Sequence, residues 1–295
     1  MKDNTQIGVI GLGKMGRGMA GSLKRAGYEV VGLDASEAAR KACAEDGVAV
    51  VATLRELLAQ AGIVVLSLPN SDIVRALVEG PDGIAALASD GLLLIDTTTA
   101  DPATMKAVLP LLQQAGVSLI DAPVSGGPRG AASGQLTMFI GGSAADLGRA
   151  EGVLSALGAK RFHIGDTGAG YIAKLVNNLL VASHLLTASE AFRIAEAAGV
   201  KTEQLLEAVN AGSGRSGVTL YNYPSRILND GFDSGFTMQL MRKDVRLAQS
   251  LMQGVDLDLP ISNQVAAIWQ DSETQLADQE DFNRIVTLDT NSRRG

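Results

Sequence analysis

Lys174 stands out among the residues able to do chemistry. Between Tyr171 and Ala191 only Lys174 and Glu190 are formally charged, and Lys174 is set among Ile172, Ala173, Leu175 and Val176. On a helix, Asn178 falls four residues on and shares its face. Burial penalises an ammonium and lowers a lysine's pKa. A lysine tuned in this way exchanges a proton with a substrate oxygen near neutral pH. The Asn178 amide would hold that oxygen or the lysine itself. The plainer reading is a lysine that snorkels from a domain interface, and the helix alone does not separate the two.

A second group is built from glycine. Gly11-Leu12-Gly13-Lys14-Met15-Gly16 directly follows an apolar run and opens a helical one. In such a turn Gly11 permits the tight bend, Gly13 lets a pyrophosphate approach the backbone, and Gly16 lets helix pack on strand. The phosphates would sit on free N–H groups at the helix N-terminus. Asp34 closes the next apolar run, at the distance expected for the acid that binds a ribose 2′-hydroxyl. Ala35 and Ser36 follow it, with no guanidinium for a 2′-phosphate, so NAD is the expected cofactor. Arg40, on the following helix, leaves NADP as an alternative.

Ser125-Gly126-Gly127, in Asp121-Ala-Pro-Val-Ser-Gly-Gly127, offers a hydroxyl and unobstructed N–H groups suited to a carboxylate. On spacing alone it is equally a glycine-rich connection. Leu66-Ser-Leu-Pro69 and Asp96-Thr-Thr-Thr99 also follow strand candidates. His163 and His184, the only histidines, read as structural, and no His, Asp and Glu cluster has metal-ligand spacing. No GxSxG elbow surrounds Ser125, which argues against a hydrolase triad. Cys43 reads as a small apolar filler. Arg242-Lys243-Asp244 reads as a solvated face or as a cluster reaching a cleft.

These residues need elements to position them. Strand candidates are 6–10, 29–33, 63–68, 92–96, 118–121, 136–141 and 160–164, with helical segments over 14–26, 36–45, 54–61, 71–79 and 102–115. Apolar strands separated by helices predict parallel pairing with both faces covered, a Rossmann-type doubly wound α/β domain over residues 1–165. After Gly165 the strand signals stop. A long helix over 171–198, opened by Gly168-Ala-Gly170 and closed at Gly199, leads into helices over 201–210, 236–253 and 262–277. Residues 166–295 therefore read as an all-α domain, with a polar, frayed end at Thr290–Gly295.

Composition fits this picture. Hydrophobic residues make up 46% of the 295 residues and aromatics only 4%, so the core rests on Ala, Val, Leu and Ile. A net charge of −7 argues against nucleic-acid binding. No apolar run approaches the ~18 residues of a membrane span. The N-terminus enters a strand directly, without the pattern of a signal peptide, and a single cysteine cannot form an internal disulfide. A soluble cytoplasmic protein is expected.

Together these motifs resemble the β-hydroxyacid dehydrogenases, the group of 3-hydroxyisobutyrate dehydrogenase and tartronate semialdehyde reductase. The resemblance covers nearly the whole chain, through Gly11–Gly16, Asp121–Gly127, Gly168–Lys174 with Asn177-Asn178, and Lys243-Asp244 with Leu247-Ala248. It implies a Rossmann domain, a helical domain and a cleft between them. It also implies Lys174 as catalytic general acid/base, Asn178 orienting a small 3-hydroxy acid, and Ser125, Gly126 and Gly127 holding the acid's carboxylate. Leu68, Pro69 and Thr99 would line the cofactor, and Lys243 would approach it from the helical domain. A homodimer or homotetramer is implied as well. The segment 213–223 lies where the family's substrate contacts vary, and Arg215 within it would face a second anionic group or pair with an acid. The runner-up readings are an NADPH-dependent semialdehyde reductase, an imine reductase, a non-catalytic nucleotide-binding protein and a sugar-phosphate dehydrogenase. Lys174 speaks against the imine reductase.

Overall fold

The computed structural model describes residues 6–288, so the expected fray at Thr290–Gly295 and the first five residues lie outside the described residues. The chain divides after Lys174 into two compact units.

The N-terminal unit contains, in order, β1 (Gln6–Ile10), α1 (Lys14–Arg25), β2 (Val30–Leu33), α2 (Glu37–Glu45), β3 (Ala49–Val50), α3 (Leu54–Leu58) and β4 (Ala61–Leu66). There follow α4 (Ser71–Val78), α5 (Ile84–Leu87), β5 (Leu93–Asp96), α6 (Pro102–Gln114), β6 (Ser118–Asp121) and β7 (Val124–Ser125). The unit continues through α7 (Gly127–Ser133), β8 (Thr137–Gly141), α8 (Ala144–Leu157) and β9 (Lys160–Gly165) into α9 (Ala169–Ala197).

The sheet runs β3-β2-β1-β4-β5-β6-β8-β7, with β9 beside β8. From β3 to β6 every pairing is parallel. One core layer packs Met19, Leu23, Val153 and Leu157 on one face. The other packs Leu57, Val74, Val108 and Leu112 on the opposite face. Strands buried on both sides read as continuous apolar runs, which is why the sequence reveals them.

The purely parallel expectation needs correction at the far side. β8 runs antiparallel to both β6 and β7. The segment 54–61 is also not one helix, because α3 stops at Leu58 and Ala61 already begins β4. A capping box of Thr53 and Glu56 starts that short helix. α8 is capped by Ser143, whose hydroxyl accepts from the Asp146 N–H, and its Gly152 lets Tyr28 approach closely. β9 is an edge strand, exposed along nearly its whole length.

The C-terminal unit comprises the rest of α9, then α10 (Thr202–Ala211), a π-helical stretch (Val218–Ile227), α11 (Met238–Gly254), α12 (Pro260–Asp271) and two 3₁₀ turns, Ser272–Thr274 and Phe282–Thr287. Its core gathers Ala182, Leu185, Phe192, Met241, Val245 and Trp269. The Trp269 indole N–H donates to the Ala182 carbonyl at 3.2 Å, tying α12 to α9. Among the described residues no helix is long and apolar enough to cross a membrane.

Candidate active site

The strand order reverses between β1 and β4, and beyond such a reversal open α/β sheets hold ligands at their carboxyl ends. The glycines there answer to different demands. Gly11 has φ +91°, and a Cβ on it would stand 2.2 Å from the Ser67 carbonyl oxygen. A Cβ on Gly16 would stand 1.7 Å from the Gly11 carbonyl oxygen. Gly13 has an ordinary φ of −63°, and a Cβ there meets no protein atom within 4 Å. Nothing in the fold requires glycine at 13, and the space it keeps open fits a pyrophosphate.

Gly13 is also the N-cap of α1 and provides no side-chain acceptor. Ser36, Thr53, Asn70, Asp101 and Ser143 all cap their helices with side chains. The first N–H groups of α1 are thus left to an anion, which the helix dipole also favours. The Asp34 carboxylate is fixed at the end of β2 by the N–H groups of Leu12, at 2.6 Å, and Ser36, at 2.7 Å. Arg40 folds back to donate to the carbonyls of Asp34 at 2.5 Å and Ala35 at 3.2 Å. Leu12 is buried over Gly32, Met15 packs on the core, and Lys14 is exposed. The donor set suits a dinucleotide with a free ribose diol.

The loops after β4 and β5 adjoin this turn. The Leu68 N–H donates to the Thr98 hydroxyl at 3.2 Å; Leu68 and Thr99 are half-buried and Pro69 is exposed. Ser125 ends β7 opposite Thr137, and Gly126 and Gly127 follow at φ +125° and +60°. The Ser125 hydroxyl makes no hydrogen bond among the described residues. The helix that starts at Gly127 is pinned to α1 by the Ser22 hydroxyl, which donates to the Ala131 carbonyl at 2.8 Å.

The start of α9 is tied to the ends of β5 and β6. The Asp121 carboxylate accepts from the N–H groups of Gly168 at 2.6 Å and Tyr171 at 2.9 Å. The Tyr171 hydroxyl donates to Asp96 at 2.7 Å. Burial pushes the Asp121 carboxyl up to about 6, against the pull of those N–H donors. Burial beside two carboxylates likewise raises the Tyr171 phenol well above its ordinary value. Lys174 follows one turn later and is only 6% exposed.

In the C-terminal unit, Asn178 is buried and its amide N–H donates to the Asp244 carboxylate at 2.5 Å. The Asn178 carbonyl accepts from Asn177 at 3.0 Å. The Lys243 ammonium stands 3.0 Å from the other Asp244 oxygen. Asn178, Asp244 and Lys243 therefore form one cluster. Arg215 is exposed and has no ion-pair partner among the described residues.

Two features depart from the sequence reading. Arg242 and Asp244 are 2% and 1% exposed, so Arg242-Lys243-Asp244 is not a solvated face. Arg242 donates to Ser272, Leu276 and Asp278 and holds the core of its unit. Asp244 lies in a motif that the sequence reading quotes without assigning it a role, and the structure bonds it to Asn178. Its signal is a carboxylate on the apolar stripe of α11, between Met241 and Val245. His163 is structural, with Nε2 within 3.0 Å of the Gly142 and Gly165 carbonyls.

Comparison with known proteins adds the following. A family model for the NAD binding domain of 6-phosphogluconate dehydrogenase matches residues 6–165. One for the NAD-binding region of NADP-dependent 3-hydroxyisobutyrate dehydrogenase matches residues 168–288. The chain is 32% identical to a 2-(hydroxymethyl)glutarate dehydrogenase of Eubacterium barkeri, over 98% of this chain and 96% of that one. It is also 32% identical to an NAD-dependent L-serine dehydrogenase of Pseudomonas aeruginosa, over 96% and 97%. The solved structure of a Mycobacterium tuberculosis 3-hydroxyisobutyrate dehydrogenase with L-serine superimposes with a TM-score of 0.88 at 33% identity, covering 96% of this chain and 98% of that one.

Proposed function

The chain belongs to the β-hydroxyacid dehydrogenase family and is an NAD(P)-dependent hydroxyacid oxidoreductase, and from this premise we propose that Lys174 carries its proton-transfer step. The observation that carries this reading is the burial of Lys174, at 6% exposure, on an otherwise apolar helix one turn before Asn178.

In the oxidation of a small 3-hydroxy acid, Ser125 and the N–H groups of Gly126 and Gly127 hold the carboxylate. The Lys174 amine accepts the hydroxyl proton as the carbinol carbon loses hydride. In the reverse direction the Lys174 ammonium protonates the forming alkoxide. Asn178, its amide oriented by Asp244, holds the same oxygen. NAD, when bound, supplies the hydride acceptor. The residues that would hold it are Gly11, Leu12, Gly13, Lys14, Met15, Gly16 and Asp34, with Leu68, Pro69, Thr99 and Lys243 lining it. Holding both ends of a small substrate is where much of the rate arises. Asp34 favours NAD over NADP, because its carboxylate accepts from a ribose diol and repels a 2′-phosphate.

The substrate is a C3–C5 acid such as 3-hydroxyisobutyrate or L-serine. Arg215, which has no ion-pair partner among the described residues, favours within that range a substrate with a second anionic group, such as a distal carboxylate or sulfonate. The product is the matching semialdehyde or 3-oxo acid. A homodimer or homotetramer formed through the helical unit fits the exposed Val176 and Leu180 on one face of α9. A cytoplasmic location fits the single, buried Cys43.

The test is NADH formation across these acids with wild type and Lys174→Ala. The variant loses kcat by about three or more orders of magnitude, within what acid–base catalysis and orientation supply, and binds NAD as before. Turnover within a few-fold of wild type would remove Lys174 from the role.

A further inference from the structure

The polar network at the start of α9 takes no part in the steps above, yet it is built with unusual completeness. Asp96 and Asp121 are register partners on β5 and β6, so their side chains leave the same face of the sheet. Both are fully buried. Neighbouring carboxylates away from water repel one another and persist only where donors compensate them. Most of the compensation comes from the entry of α9. Gly168 and Tyr171 give their backbone N–H groups to Asp121. Tyr171 gives its hydroxyl to one oxygen of Asp96, and the Thr98 N–H takes the other at 2.9 Å. Glycine keeps the space open, since a Cβ on Gly141 or Gly170 would stand 2.5 Å or 2.8 Å from an Asp121 oxygen. Backbone N–H groups alone hold a helix end at points close to its axis. The phenol adds a point away from the axis, on the neighbouring strand.

We propose that Tyr171 is a positioning residue for Lys174. Its hydroxyl, bonded to Asp96, fixes the rotation of the first turns of α9 against β5 and β6. It thereby sets where the lysine amine stands at the carboxyl edge of the sheet. The proposal rests on Lys174 as the proton-transfer group. The raised Asp121 carboxyl is a second mark of how closely this junction is packed.

Tyr171→Phe removes the hydroxyl alone and leaves the ring in its core. The assay is steady-state turnover with NAD and whichever of 3-hydroxyisobutyrate, L-serine and 2-(hydroxymethyl)glutarate wild type oxidises fastest. The same acid deuterated at the carbinol carbon is run in parallel. Misplacing a reacting group by a fraction of an ångström slows the chemical step, so kcat falls about tenfold. The primary isotope effect rises with it, while NAD affinity stays within about twofold because the glycine turn is untouched. If kcat and the isotope effect hold while only the melting temperature falls, Tyr171 is merely structural and the proposal is overturned. The double variant Asp96→Asn/Tyr171→Phe removes the carboxylate that the single change strands, and the same loss is expected. Recovery of kcat to the wild-type value in the double variant also overturns the proposal. Lys174→Ala separates the two readings. If it turns over normally, the role of the lysine fails and this proposal with it. If it is inactive while Tyr171→Phe is unaffected, only the positioning role fails.

Discussion

Gly13→Ala distinguishes a turn that exists to bind a ligand from one that merely joins a strand to a helix. At φ −63° alanine is sterically admissible, and the added methyl meets no protein atom within 4 Å. A compatible Gly→Ala change gains about 0.4–1 kcal/mol through the unfolded chain. Alanine is a poorer N-cap than glycine, which offsets a similar amount. The net change in stability is therefore within about 1 kcal/mol, or about 2–4 °C in melting temperature for a unit of this size. The methyl occupies the space through which a pyrophosphate reaches the N–H groups of α1. Losing one charge-assisted hydrogen bond there costs about 1.5–3 kcal/mol, which weakens NAD binding by about 10- to 150-fold. Calorimetric titration with NAD and a thermal melt read the two quantities separately. Gly16→Ala is the contrasting case, because its Cβ would lie 1.7 Å from the Gly11 carbonyl oxygen, and it lowers stability whether or not NAD is present. Wild-type NAD affinity in a folded Gly13→Ala protein would refute the assignment of the turn to the cofactor.

Other outcomes follow from the same structure. Asp34→Ser removes the charge proposed to face the ribose diol, so the ratio of kcat/KM for NAD over NADP falls about tenfold or more, as a lost charge-assisted bond implies; an unchanged ratio would show that Asp34 does not read the ribose. The Asp121 carboxyl is raised from 3.8 to about 6 in the fold, so its contribution to stability is full below 3.8 and is lost as pH rises through 6. At most about 3 kcal/mol is involved, and melts of wild type against Asp121→Asn between those limits show the slope only in wild type. Arg242→Met strips a buried hub of its guanidinium and leaves carbonyls unsatisfied. A loss of about 3–5 kcal/mol is expected in urea unfolding, and a change under about 1 kcal/mol would show that the hydrogen bonds of Arg242 add little net stability.

Much of this was legible in the sequence because the demands are local. The positive φ of Gly11 and the close approach of Gly16 to the Gly11 carbonyl arise within one turn, and the acid at position 34 is placed by the length of one β-α-β unit. The apolar runs of β1, β4, β5 and β6 announce strands covered on both faces. What escaped depends on partners distant in the chain. β7 has only Val124 and Ser125, too short to show alternation, so its antiparallel pairing with β8 has no periodic signature. α8 is absent from the helices expected from the sequence, and it carries Gly148 and Gly152, the second of which lies against Tyr28. Tyr171 reads as the first residue of an apolar helix. Its bond to Asp96 exists only because the register of β5 and β6 sets two acids abreast. Asp244 is visible in its motif, but its contact with Asn178 joins residues 66 positions apart and has no local signature.

β9 bears on how the protein avoids associating wrongly. Its Phe162 and Ile164 are 52% and 48% exposed on an open sheet edge, a template on which another chain could add a strand. Its first two residues are Lys160 and Arg161, and Arg161 is drawn back onto Glu151 of α8 at 3.1 Å. Cations at the mouth of an apolar edge make strand addition unfavourable, because each incoming copy would bring the same charges into register. Lys160 and Arg161 place charge on the strand edge itself, the pattern by which exposed apolar strands are kept from pairing with further chains.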